Sequence, residues 1–192
     1  MRTFIAVRIP ATPALTVMLS QLRQLRPPLK VADANELHVT LPFLGETRAE
    51  QVPELAAILE DVANVEHTVT LAIRGLGAFP QIEHPHVVWA GFEDPAPLVR
   101  WADRLWNGCE TLGFRREARP FHPHVTLARL KLDPPESLLV EVQQNSMADF
   151  GTVKIDRLEL FRSDLGPAGP VYTSLASAML INQGATDATP SP

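Results

Sequence analysis

Two kinds of hydrophobic spacing alternate along the chain and predict strands alternating with helices. Residues 2–9 alternate in polarity and are rich in β-branched side chains, which is typical of a strand. Residues 11–26 carry leucines and a methionine at helical spacing, and the proline pair at 27–28 is expected to end that helix. Residues 37–43 alternate again, and Gly45 is expected to turn the chain.

The same order of elements recurs in the second half. In the first half, Thr47 and Glu50 have the spacing of a capping box, which predicts a helix over 47–63, and residues 67–74 alternate as a strand. The second half begins at a predicted strand over 86–92. Its later elements are a helix over 97–112 closed by Gly113, a strand over 122–130, a helix over 135–147, and strands over 152–162 and 170–180.

The repetition has a nearly constant offset. Pro10 and Pro95 are 85 residues apart, and His38 and His124 are 86 apart. This predicts an internal duplication, with two α+β lobes related by a pseudo-twofold axis. Element order alone also fits α/β domains that have no duplication, so the offset is the more informative observation.

Composition narrows the class of protein. Of 192 residues, 45% are hydrophobic and 20% are charged, which excludes a disordered, collagen-like or coiled-coil chain. The net charge of −5 argues against a surface that grips long nucleic acid, so an RNA partner is expected at a local site. With Cys109 as the only cysteine and no apolar run long enough for a signal peptide or a membrane helix, we expect a cytoplasmic protein without membrane association.

The tetrapeptide His-Val-Thr-Leu occurs at corresponding places in the two halves. In a strand, residues i and i+2 share a face, so His38 lies beside Thr40, and His124 beside Thr126. A pseudo-twofold axis then places two imidazoles and two hydroxyls around one cleft. That set suits metal-independent phosphoryl chemistry, since one imidazole can act as base and the other as acid. A single copy is more simply explained as an ordinary strand histidine followed by a β-forming threonine.

These motifs and their flanks resemble the two-histidine (2H) phosphoesterase superfamily and, within it, the RNA 2′,3′-cyclic phosphodiesterases, also called 2′-5′ RNA ligases. The matching stretches run in family order from residue 2 to about residue 180: RTFIAVRIP, NELHVTLPFLGE, GLGAFP, VVWAGF, FHPHVTLARL and SDLGPAGPVY. With this resemblance we expect a single bilobal α+β domain over 1–182 and a disordered tail over 183–192. Two mainly antiparallel sheets should face a central cleft, with the helices outside.

The resemblance implies metal-independent hydrolysis of an RNA-terminal 2′,3′-cyclic phosphate to a 2′-phosphate. One histidine activates water and the other protonates the departing 3′-oxygen; by analogy His38 is the acid and His124 the base, although the pseudo-symmetry leaves the orientation of the substrate open. Thr40 and Thr126 are expected to hold the phosphate. Some members also join RNA ends through a 2′-5′ linkage. No cofactor is implied, and we expect a monomer that acts on RNA ends or nucleoside 2′,3′-cyclic phosphates without an obligate protein partner.

The family also uses an aromatic residue and an arginine near Phe43 and Arg129. Strict alternation would point both side chains away from the cleft, so each strand is expected to bulge or end near Pro42 and Ala128. Phe43 would then stack on a base, and Arg129 would pair with the phosphate. The alternative for Phe43 is a place in the core.

His122 and Tyr172 are weaker candidates for substrate contact, and packing explains each of them equally well.

Three other functions stay open. A metal hydrolase would use His38, His122 and His124, but neither motif contains an acidic residue. A non-catalytic nucleotide- or RNA-end-binding module would more often have lost one of the motif residues. A phosphodiesterase acting on another small cyclic phosphate, such as ADP-ribose 1″,2″-cyclic phosphate, would keep the same residues.

Overall fold

The computed structural model describes residues 1–25, 29–131, 133–166 and 169–182, and in these residues it has the predicted α+β fold. The elements are β1 (Arg2–Arg8), α1 (Pro13–Gln24), β2 (Lys30–Val31), β3 (His38–Glu46), α2 (Val52–Ala63), β4 (Val69–Phe79), β5 (Val87–Phe92), α3 (Ala96–Thr111), β6 (Val125–Arg129), α4 (Glu136–Gln144), β7 (Asp149–Ile155), β8 (Arg157–Gly166) and β9 (Gly169–Met179). The proline pair expected to end α1 and the tail expected over 183–192 lie outside the described residues.

The strands form two sheets. The first sheet has the order β3-β1-β8-β9, and the second sheet has the order β2-β6-β5-β4-β7. Every pairing between these strands is antiparallel. The fourth strand of each half joins the sheet of the other half, because β4 lies beside β5 and β8 lies beside β1. Both sheets therefore contain strands from both halves of the sequence.

Helices pack on the two sheets and complete a continuous core. Helix α2 contacts β8, β9 and α3, whereas α1 contacts β7 and α4 contacts β4. The predicted apolar stripe of α3 is fully buried at Leu98, Trp101, Leu105 and Cys109. Gly113, at φ 86°, follows the last turn of α3 and accounts for its predicted end. No helix among the described residues combines the length and apolar character required to cross a membrane.

The capping box predicted before α2 is wrong. Thr47 is buried, and its Oγ1 lies 2.6 Å from Thr3 Oγ1, so a tertiary hydrogen bond uses the hydroxyl expected to cap the helix. Residues 49–51 form a 3₁₀ turn, and the Gln51 side chain accepts a hydrogen bond of 3.0 Å from the Arg48 backbone N–H. The α-helix begins only at Val52.

Three strand predictions also need correction. The chain does not turn at Gly45; that residue, at φ 70°, lies inside β3, which continues to Glu46. The strand predicted over 67–74 continues to residue 79, because Gly75 at φ 76° accommodates a bulge where the alternation of the sequence breaks. The single strand predicted over 152–162 is two strands, β7 and β8, that belong to different sheets.

Candidate active site

The motif strands β3 and β6 contact each other where the two sheets meet, and β3 carries a bulge just after its motif. Thr40 pairs with Ala6, whereas Phe43 pairs with Phe4, so β3 has one more residue than β1 over this stretch. Because Phe4 and Ala6 share a face of β1, the bulge brings Phe43 to the same face as Thr40. The bulge predicted near Pro42 is therefore confirmed.

Strand β6 has the equivalent irregularity. Thr126 pairs with Trp89 and Arg129 pairs with Val87, which leaves one extra residue in β6 between the two pairs. Trp89 and Val87 lie on one face of β5, so Arg129 comes to the same face as Thr126. The bulge predicted near Ala128 is also confirmed.

One type of hydrogen bond orients both imidazoles. His38 Nδ1 lies 2.7 Å from the backbone oxygen of Glu36, and His124 Nδ1 lies 2.7 Å from the backbone oxygen of His122. A carbonyl oxygen can only accept, so Nδ1 carries the proton in each ring. In the neutral form, Nε2 of each ring consequently holds the lone pair and is ready to accept a proton.

Aromatic rings enclose the two histidines. The His38 ring lies 5.3 Å from the Phe4 ring, between centroids, and 5.1 Å from the Tyr172 ring, which meets it edge-on. The His124 ring lies 5.0 Å from the Phe79 ring, also edge-on. These apolar neighbours remove water from one side of each imidazole.

Desolvation lowers the pKa of both histidines below the ordinary value, but their charged neighbours differ. At His38 the hydrogen bond to Glu36 and the charge of the Glu36 carboxylate raise the pKa, whereas the charges of Arg129 and Arg8 lower it. At His124 the backbone hydrogen bond to His122 raises the pKa, whereas the charges of His122, Arg129 and His38 lower it. The motif strands β3 and β6 contact each other, and the charge of His38 acts on the pKa of His124.

The remaining polar groups of the cleft are free to bind a ligand. Within the described ranges, neither the Thr40 hydroxyl nor the Thr126 hydroxyl has a protein hydrogen-bond partner, and both side chains are half-buried. Arg129 is exposed, has no carboxylate partner in the same ranges, and acts electrostatically on both catalytic candidates. Two hydroxyl donors, one guanidinium and two imidazoles form a site suited to an anion.

The other predicted site residues lie around this set. Phe43 is 39% exposed, and the Arg2 guanidinium lies 5.5 Å from the centroid of its ring, so the core alternative for Phe43 is wrong. His122 is exposed, with its ring 4.8 Å from the Trp89 ring. Burial raises the pKa of the Tyr172 phenol, which therefore stays neutral.

Sequence reasoning missed the aromatic residues beside the histidines. Phe4 and Trp89 are separated by the same 85 residues as the two prolines that mark the duplication. Phe4 lies beside His38, and the Trp89 ring lies 6.2 Å from the His124 ring. Applying the same offset to the strands next to the motifs would have identified Phe4 and Trp89 as a matching pair.

The metal alternative is not supported by the donor geometry. In the part of the chain that the structure describes, no three His, Cys, Asp or Glu side chains are grouped so that they could hold a metal ion.

Comparisons with known proteins agree over nearly the whole chain. The family model of the 2′-5′ RNA ligase superfamily matches residues 10–167. An RNA 2′,3′-cyclic phosphodiesterase of Aeropyrum pernix is 34% identical over 160 residues, covering 82% of this chain and 89% of that protein. A crystal structure from Thermus thermophilus is 33% identical with a TM-score of 0.82, covering 95% of this chain and 100% of that chain. Escherichia coli LigT complexed with 3′-AMP is 25% identical with a TM-score of 0.72, covering 93% and 97%.

Proposed function

Because this chain belongs to the 2′-5′ RNA ligase superfamily, we propose that it hydrolyses the terminal 2′,3′-cyclic phosphate of RNA to a 2′-phosphate. The observation that carries this proposal is the pair of oriented imidazoles. Each has a protonated Nδ1 and an available Nε2, and both lie in the cleft with two hydroxyls that lack partners among the described residues. The relatives named as RNA 2′,3′-cyclic phosphodiesterases support the same substrate class.

In this mechanism His124 is the general base and His38 the general acid. Nε2 of neutral His124 takes a proton from water as the water oxygen bonds to phosphorus. The bond between phosphorus and the 3′-oxygen breaks, and Nε2–H of protonated His38 gives its proton to that oxygen. Arg129 lowers the pKa of both histidines, so the support for this direction comes from the Glu36 carboxylate, which favours a protonated His38.

The phosphate is held by the two threonines and the arginine of the cleft. The hydroxyls of Thr40 and Thr126 donate hydrogen bonds to the two non-bridging oxygens, and the Arg129 guanidinium neutralises their charge. Phe43 offers an exposed ring on which the terminal base stacks. Tyr172 orients the His38 ring through its edge-on contact. With an RNA 5′-hydroxyl in place of water, the same step yields a 2′-5′ linkage.

We also propose that residues 1–182 act as one bilobal domain. The exchange of β4 and β8 between the sheets supports this, since neither sheet can form from one half of the sequence alone. A monomer in the cytoplasm is part of the same proposal. The cytoplasmic location is supported by the lone cysteine, Cys109, which can form no intrachain disulfide; it is buried in α3, and burial raises its pKa to about 12.

The test is hydrolysis of an oligoribonucleotide that ends in a 2′,3′-cyclic phosphate, with EDTA present. The wild-type protein is expected to release a 2′-phosphate, identified against synthetic 2′- and 3′-phosphate standards. His38→Ala and His124→Ala are each expected to reduce kcat by about 100-fold or more, because each removes one partner of the acid–base pair. His84→Ala, an exposed histidine outside the cleft, is the matched control and is expected to retain the wild-type rate.

Other outcomes would contradict specific parts of the proposal. A 3′-phosphate product would show that the 2′-oxygen, and not the 3′-oxygen, is the leaving group. Loss of turnover in EDTA, restored by a divalent metal, would refute the metal-independent mechanism. Binding of the cyclic-phosphate end without turnover would favour the non-catalytic binding module.

A further inference from the structure

A cavity that is separate from the catalytic cleft lies next to the catalytic groups, on the inner face of the second sheet. Its volume is about 380 Å³, and its wall includes Arg74, Trp89, Gly91, Val99, His122 and Ser146, but not His124. Cavities of a few hundred Å³ hold small ligands or parts of larger ones. Trp89 and His122 belong both to this wall and to the surroundings of His124, so the cavity adjoins the catalytic cleft.

The cavity contains a flat aromatic surface. The Trp89 ring covers Gly77 and also touches Gly91: a Cβ atom at Gly77 would lie 2.2 Å from Trp89 Cζ2, and one at Gly91 would lie 3.2 Å from Trp89 Cζ3. The absence of a side chain at Gly77 therefore allows the indole to lie against β4. A flat indole at the wall of a cavity is a stacking surface for a planar group.

The same wall carries the guanidinium of Arg74. Its Nε lies 3.7 Å from a Glu93 oxygen, and the side chain is 38% exposed. A guanidinium has five N–H donors in all, so it can also donate to a ligand that supplies acceptors. A nucleobase meets both requirements, since it is planar and carries carbonyl and ring-nitrogen acceptors.

We infer that this cavity is a subsite for the base of the penultimate nucleotide, an inference that rests on the proposed function. His122 stands between the two sites, with its ring 6.4 Å from the ring of His124 and 4.8 Å from that of Trp89. The phosphodiester that joins the last two nucleotides passes His122, whose imidazole contacts it. Phe43, on the opposite sheet, takes the terminal base, which leaves the cavity for the preceding base.

The experiment compares a dinucleotide ending in a 2′,3′-cyclic phosphate with the corresponding nucleoside 2′,3′-cyclic phosphate. For the wild-type protein, kcat/KM is expected to be about 5- to 150-fold higher for the dinucleotide, which is the range for one stacked base. Val99→Trp fills the cavity, and Arg74→Gln removes a guanidinium donor. In both variants the ratio of the two kcat/KM values is expected to fall towards one.

Val140→Trp is the matched control for the added indole, because Val140 is exposed on α4 and outside the cavity wall. It is expected to keep the wild-type ratio. A wild-type protein that opens both substrates equally well would overturn the subsite while leaving the proposed function standing. Equal losses on both substrates in Val99→Trp and Arg74→Gln would place the terminal base in the cavity and also overturn it. Turnover of neither substrate by the wild-type protein would instead refute the proposed function.

Discussion

The Thr126 hydroxyl gives the sharpest test of how the phosphate is held. Replacing Thr126 by valine removes one hydroxyl and keeps the β-branched shape that the strand favours. Because this hydroxyl has no protein partner in the described ranges, its loss leaves no buried group unsatisfied. The free energy of unfolding is therefore expected to change by less than about 0.5 kcal/mol.

The effect on catalysis follows from the charge of the phosphate. A hydrogen bond to a charged group contributes about 1.5–3 kcal/mol, which corresponds to a loss of about 10- to 150-fold in kcat/KM. Most of the loss is expected in kcat, because charge on the phosphoryl oxygens increases as the water oxygen adds. Thr126→Ser retains the hydroxyl and is expected to recover most of the rate.

The assay measures kcat and KM for an oligoribonucleotide 2′,3′-cyclic phosphate at constant ionic strength, together with thermal unfolding. Thr173→Val is the matched control, since Thr173 is exposed on β9, where alternation directs it to the face opposite Tyr172. A wild-type rate in Thr126→Val would show that the hydroxyl does not contact the phosphate. A large loss of stability would show that the threonine acts through packing.

Two further predictions concern carboxylates that act on neighbouring groups. The pH profile of kcat/KM is expected to be bell-shaped and to lose rate on the acid side, below about pH 6.5, because His124 with its lowered pKa becomes protonated there. Glu36→Gln is expected to move the alkaline limb of this profile to lower pH, because His38 loses the carboxylate that raises its pKa. Glu66 is buried, and this desolvation raises the pKa of its carboxyl group. Hydrogen bonds from Arg100 and the Trp101 indole lower that pKa by more, so it lies below the ordinary value. Glu66→Gln is therefore expected to lower the free energy of unfolding by about 1–3 kcal/mol at neutral pH, and urea titrations should show this difference fading as the pH falls through the folded-state pKa.

Each of these predictions has a control. Glu46→Gln removes an exposed carboxylate from the far end of β3 and is expected to leave the pH profile unchanged. An unshifted alkaline limb in Glu36→Gln would contradict the assignment of His38 as the acid. Asp133→Asn removes an exposed carboxylate without altering stability, and a difference for Glu66→Gln that persists in acid would refute the ionic explanation.

The alternation of elements predicted an α+β chain with an internal duplication, and the repeated motif predicted two imidazoles and two hydroxyls around one cleft, whereas the two facing antiparallel sheets were expected through the family resemblance. Local spacing determines which face of a strand a side chain occupies, so the shared face of His38 and Thr40 could be inferred without coordinates. The bulges that bring Phe43 and Arg129 to the inner face were expected only through the family resemblance. Extra residues in a strand become visible only against the partner strand, as the pairing with Phe4 shows.

Other features were decided by contacts between distant parts of the chain. The Thr47 hydroxyl forms a hydrogen bond with Thr3 rather than a helix cap, because a buried hydroxyl is satisfied by whichever partner lies nearest in space. The exchange of β4 and β8 between the sheets and the cavity beside Trp89 likewise depend on contacts between residues that are far apart in the sequence. Sequence spacing determined the local elements and the direction of their side chains, whereas packing and hydrogen bonding between remote strands decided which elements became neighbours and what space remained between them.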